Sequence, residues 1–541
     1  MSNLFRATRI DDHARLSCAW YRYCYKGVMS SAHSKSRHTG EKLFRVVSRG
    51  FRLRALVIVI ALAFSVTTIH GMPSGLRLAQ ASDQTSIISR HGITWTFNRE
   101  VEFGRFVNGD YWVVGPVTII DISPLSTVED GRTRNGSMIN PHRGLTQGYD
   151  SHPKSGGYSS TNNVGRPGGN RLSAANPLRL QPGDSLVSAR SGEPARRWPP
   201  GQLDDAAVLT VVDGPPPEGS FRPPYTNGSK AYRWNVADIN WDALEARQVQ
   251  RSRLGTLPNL SGFAARVERV WLDHSQAWQF GHVVPANNMP SYGREFQKSV
   301  GDTMLTLLLD YPRAELEPIV YGFLQVGIDL FALAELGQTW GANGAIFGGR
   351  KLPILFAGWL FNNPVASAML DIADAEQNLI FQEDQQVHPV TQQLIDCSQA
   401  NPDGGGCWNP DKRNSQFAPY PQEMLNIPEW GIRFSAWLPS STSQWAPDAS
   451  WRAIYRNNNV GAAGMALAAL IAGLRSEWNN DAFFDYYDRA YRARPVADGG
   501  SGDDPMGIHG DWNVKTNGLT TLAFNMWEEF RNDYLPVWSP D

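Results

Sequence analysis

Apolar residues recur along this chain at two different periods, and the change falls near residue 260. Upstream, Ile93-Thr94-Trp95-Thr96-Phe97 alternates, Tyr111–Val114 and Val117–Ile120 flank Gly115-Pro116, and Ala206–Val212 is a short apolar run. Period two, β-branched residues and bounding Gly, Pro, Asn and Asp predict strands, and a β-sandwich-like domain over residues 85–255. The Gly-, Ser- and Asn-rich stretch from Asp130 to Asn176 predicts mostly loop. Downstream, apolar residues recur at three and four. That spacing predicts helices over Phe263–Trp278, Tyr292–Tyr311, Leu316–Leu336, Leu352–Phe361, Val460–Leu474, Asp481–Tyr491 and Gly518–Phe530. Gly337 is placed to end one helix, and Asn479-Asn480-Asp481 to cap another. The series predicts an α/α-toroid, complete or partial, over residues 260–541, and hence a multidomain β + α chain.

Residues 1–81 belong to neither domain. Met1–Arg54 is basic and lacks a hydrophobic period, and Ala55–Phe64 is an unbroken apolar run. Such a run suits a signal peptide better than a membrane span, which needs about twenty residues. Small residues at Ala79 and Ala81 predict cleavage after Ala81 and export to the periplasm or the medium. An uncleaved N-terminal anchor is the alternative, and would be the chain's only membrane contact. The long basic region also leaves room for an internal start such as Met29.

Without the leader, Cys18 and Cys24 drop out, leaving Cys397 and Cys407 around a Gly-rich segment. In an oxidising compartment this pair predicts a disulfide, and no CxxC or neighbouring histidine pair supports zinc. The full chain carries a net charge of −2 with much of its basic charge in the leader, so the exported part is acidic and a nucleic-acid partner is disfavoured. Nineteen Trp, 17 Tyr and 23 Phe are enough to line a sugar cleft, although large cores also use Trp.

Several clusters carry candidate chemistry. Tyr292-Gly293-Arg294-Glu295 opens a helix, where Glu295 suits acid–base work and Arg294 an anion clamp; an acid favourable to the helix dipole is the structural alternative. Trp340 through Gly348-Gly349-Arg350-Lys351 offers stacking and charge, but does not match a phosphate-binding loop. Glu383, Asp384 and His388 follow in one segment. Adjacent acids on a strand point to opposite faces, so the second carboxyl of a glycosidase pair must come from elsewhere, and Glu429 beside Trp430 and Arg433 is the best placed. Tyr455, Arg456 and Asn457 form a set that a uronate lyase uses, with His388 as base; a helix cap explains Asn457 equally. The aromatic helix from Trp478 to Arg489 reads as core packing. No EF-hand spacing, GxSxG in the helical half or HExxH occurs, and no metal or cofactor is assigned.

With NMPSYGRE, GGRKLPILFAG, PEWGIRF and WNNDAFFDYYDR, the second half resembles the α/α-toroid domains of secreted bacterial polysaccharide-degrading enzymes. Gly109–Val117, GDYWVVGPV, resembles a segment near the start of other large secreted bacterial proteins. A sandwich followed by a toroid is similar to several inverting glycoside hydrolases, which implies a polysaccharide substrate cleaved by paired carboxylates. A polysaccharide lyase and a non-catalytic glycan-binding surface protein are the rival expectations.

Overall fold

The computed structural model describes residues 83–144, 146–152, 157–167, 171–192, 203–274, 293–341, 347–373, 381–400, 420–430, 460–492 and 519–535, all within one compact unit. The leader lies outside them. The architecture is mixed β and α: a curled mixed sheet together with a set of helices.

The sheet contains β1 (Asp83–Arg90), β2 (Ile93–Arg105), β3 (Tyr111–Val114), β4 (Val117–Ser123), β7 (Ser137–Ile139), β8 (Leu178–Leu180), β9 (Ser185–Ser191) and β10 (Leu203–Val212). Its order is β7-β9-β10-β3-β2-β4-β8, with β1 beside β2; β5 (Thr127–Glu129) and β6 (Arg132–Arg134) form a separate hairpin. All the pairs are antiparallel except β3 with β10, where Tyr111 faces Leu209. The alternation in Ile93, Trp95 and Phe97 is borne out: all three are buried while Thr94 and Thr96 are half-exposed. Trp95 donates its indole N–H to Ser188 Oγ at 3.0 Å, so its burial strands no donor.

Where a two-layer sandwich was expected, the major strands form one sheet. The reason is visible in β10, which is buried on both faces. Ala207, Leu209 and Val211 pack into the strand core, while Ala206 and Val208 pack with Tyr149, Tyr225, Val270 and Leu272. Period two reports that a strand is covered, not what covers it. Part of the cover is the segment Val270–Asp273, where a helix was expected to run on to Trp278. The helix ends at Val267. Beyond it, Val270 and Leu272 join the sheet-side core while Trp271 packs with the helices, the two-sided division of an extended strand.

The other helices follow the apolar spacing to within a few residues. They run over Gly293–Leu307, Arg313–Glu335, Lys351–Leu360, Ala463–Ala472, Asp481–Arg492 and Thr521–Tyr534. Among the described residues, Arg313–Glu335 is the one helix long and apolar enough to cross a membrane, but 83 % of its apolar window is buried inside the protein, as for a core helix. It packs closely on Lys351–Leu360: a Cβ added at Gly327 would lie 2.3 Å from the Pro353 carbonyl oxygen. Gly327→Ala therefore forces the two backbones apart, and a loss of about 1–3 kcal/mol is expected in equilibrium denaturant unfolding.

Arg222 ties sheet to helices. It donates to Asp110 at the end of the β2–β3 turn at 2.7 Å and to both carboxylate oxygens of Asp329, in the Arg313–Glu335 helix, at 3.2 and 2.5 Å. Gln325, one helical turn before Asp329, exchanges hydrogen bonds with the Arg222 main chain.

Candidate functional site

The segment read as a possible strand around Glu383 is instead a short helix, Gln382–Gln386, followed by β11 (Val387–Pro389). The helix begins beside a stack: the Phe381 ring lies parallel to Trp340 with centroids 5.7 Å apart. Its adjacent acids then diverge to different partners. Glu383 Oε1 accepts the Gly349 N–H at 2.6 Å, and Gln382 accepts the Phe347 N–H at 3.0 Å. Gly349 has φ +96°, and a Cβ there would crowd the Gln297 Cα and the Phe296 ring at 3.2 Å, so the turn requires glycine.

Asp384 takes Lys351 Nζ on both oxygens, at 2.7 and 2.9 Å. Lys351 Nζ also donates to the Trp478 carbonyl and sits 4.9 Å from the centre of the Trp478 ring system. Asn480 closes this side, donating to the carbonyls of Glu383 and Val387 and bonding the Asp384 side chain. His388, on β11, faces Glu429 across a two-stranded ladder with β12 (Pro428–Trp430). Arg489 pairs with Glu429 at 3.3 Å and donates to the Pro428 carbonyl.

A second buried cluster adjoins through the Gly348–Lys351 corner. Arg350 grips Asp273 with Nε to Oδ2 at 3.0 Å and Nη2 to Oδ1 at 2.9 Å, and the Trp340 indole N–H donates to the same carboxylate. The guanidinium rests 3.7 Å above the Phe296 ring and donates to the Gly348 carbonyl. Asp273 is held in turn by its own N–H, which donates to the Tyr225 hydroxyl at 3.0 Å.

Burial dominates the electrostatics. It pushes the Glu383 carboxyl up to about 7, against the Gly349 N–H that favours the anion. The other oxygen, Oε2, is buried and has no hydrogen-bond partner among the described residues. Asp384 is also raised by burial, with the Lys351 charge pulling it back. His388 is lowered to about 4 by burial, opposed by the Asp384 main chain, and is neutral at pH 7.

Of the residues singled out in the sequence, Trp340, Arg350, Lys351, Glu383, Asp384, His388 and Glu429 thus fall within these linked networks. Arg350 and Lys351, expected to face a ligand, are buried, with Asp273 and Asp384 as their carboxylate partners. Glu295 is half-buried in the first turn of Gly293–Leu307, next to Phe296 and Gln297, which pack on the glycine turn. The side chains of Arg294 and Trp430 lie outside the described residues. Tyr292, Arg433, Tyr455, Arg456, Asn457 and Cys407 lie outside the described residues; Cys397 is disulfide-bonded. Asp273, Trp478, Asn480 and Arg489 carry no functional signal in the sequence. Asp273 fell in an expected helix, and the others were read as caps or core, where spacing carries no sign of a long-range partner. Among the described residues no group of three or more His, Cys, Asp or Glu is placed to hold a metal ion. A surface cleft lined by Trp241, Glu245, Gln248, Tyr311 and Arg313 shares no residue with the buried cluster. No protein-family model, curated protein or solved structure matches the chain.

Proposed function

We propose that this chain is an exported glycoside hydrolase whose general acid is Glu383, with its helices belonging to an α/α-toroid. The observation that carries the reading is the Glu383 carboxyl, which retains its proton up to about pH 7 and has one oxygen without a partner among the described residues. Glycosidic cleavage needs such a group to protonate the leaving oxygen, and a second carboxylate that stays ionised. Glu295 is the partner assigned here, because a base must meet water and Glu295 alone among the four candidate acids is not buried. Asp384 and Glu429 hold the cluster through Lys351 and Arg489. Trp340 orders the wall beside the acid by its stack on Phe381. Glu383 itself is sealed from solvent, so substrate binding must open a path to it.

The competing lyase reading has one support, the neutral His388, which is in the right state to act as a base. Incubation with a panel of neutral and uronic polysaccharides separates the readings. New reducing ends without ultraviolet absorbance of an unsaturated uronate are expected. Appearance of that absorbance would assign elimination, and binding without products would assign a glycan-binding surface protein.

A further inference from the structure

The hydrogen bond from Gly349 to Glu383 depends on the glycine turn that leads into the Lys351–Leu360 helix, and Arg350 and Asp273 brace that turn from the side away from Glu383. Gly349 is left-handed, and Gly348 gives its carbonyl to Arg350 Nη1 at 3.1 Å. The same guanidinium makes paired bonds to Asp273 and lies on the Phe296 ring. A bidentate fork fixes the plane of a guanidinium, not only its distance. Asp273 is held from several sides: its carboxylate accepts Trp340 as well as Arg350, and its neighbour Leu272 is packed on the sheet side. We infer that Asp273 is a positioning residue, acting through Arg350 to hold the Gly348–Gly349 turn and the N–H that grips Glu383. The inference rests on the reading of Glu383 as the acid for its functional meaning, but its geometry stands without it.

The test uses two variants of the full chain, with the Glu383 titration midpoint read by carbon-13 NMR of labelled glutamate side chains and assigned by its loss in Glu383→Gln. Arg350→Lys keeps the charge and removes the fork, so a shift reports geometry. Asp273→Asn leaves the Arg350 charge less compensated, which by charge alone lowers the Glu383 midpoint; loss of the Gly349 hydrogen bond raises it. Both variants are expected to raise the midpoint, by about one unit, while near-UV circular dichroism stays that of the parent. An unmoved or lowered midpoint in either variant overturns the proposal. Loss of the parent spectrum in both also overturns it, because the pair then maintains the fold and not the turn. A chain that cleaves no glycan yet shows both rises sinks the hydrolase reading alone; a hydrolase with unmoved midpoints sinks this one alone.

Discussion

Replacing Glu383 with Gln is expected to lower glycan hydrolysis about a hundred- to ten-thousand-fold, the usual contribution of a positioned general acid. Gln keeps the shape and the contact to the Gly349 N–H but has no proton to give. In the parent, activity falls as pH rises through about 7, where the acid loses its proton. The same substitution also changes how stability depends on pH. The folded value is raised above the unfolded one, so the native state holds its proton where the unfolded chain has released it. The associated stability is complete below about pH 4 and is lost as pH rises through about 7, a total of roughly 3 kcal/mol. Glu383→Gln removes that slope. Between pH 4 and pH 8 the parent is expected to lose roughly 3 kcal/mol more than the variant in denaturant unfolding; parallel profiles would show that Glu383 is ionised in the native protein.

The second large effect belongs to Arg222. Its side chain is wholly buried between Asp110 and Asp329, so Arg222→Leu takes the guanidinium from the buried Asp329 and leaves Asp110 with only its longer, 3.7 Å pairing to Arg90. A loss of about 3–5 kcal/mol is expected, measured by equilibrium unfolding. Replacing Arg222, Asp110 and Asp329 together by Leu, Asn and Asn is expected to cost less than the single change, because the penalty lies mainly in stranded charge. Burial raises Asp329 despite Arg222, which is consistent with a carboxyl that has little hydration to fall back on.

The elements were legible where one residue's environment repeats along its own strand or helix. Ile93, Trp95 and Phe97 showed their strand, and Leu316–Leu336 its core helix. The covering of β10 was not legible, since Val270 and Leu272 come from sixty residues away and interrupt what looks like a continuing helix. At the candidate site, the sequence yielded the acids and bases in isolation, but not their pairing. Lys351 with Asp384 and Arg489 with Glu429 are joined only when elements distant in the chain, two helices in the first case and a helix and a strand in the second, pack together. Asp273 shows the limit most clearly: its role comes from Arg350, Trp340 and Tyr225, none of which lies within forty residues of it.

Mass spectrometry of the products of a defined oligosaccharide that the chain cleaves tests the central claim most directly. Hydrolysis adds the elements of one water across the broken bond, so the masses of the two fragments must together exceed the parent by one water, and Glu383→Gln must suppress both. Fragments whose masses sum to that of the parent, or full cleavage by the Gln variant, would contradict the assignment of Glu383 as the acid of a glycoside hydrolase.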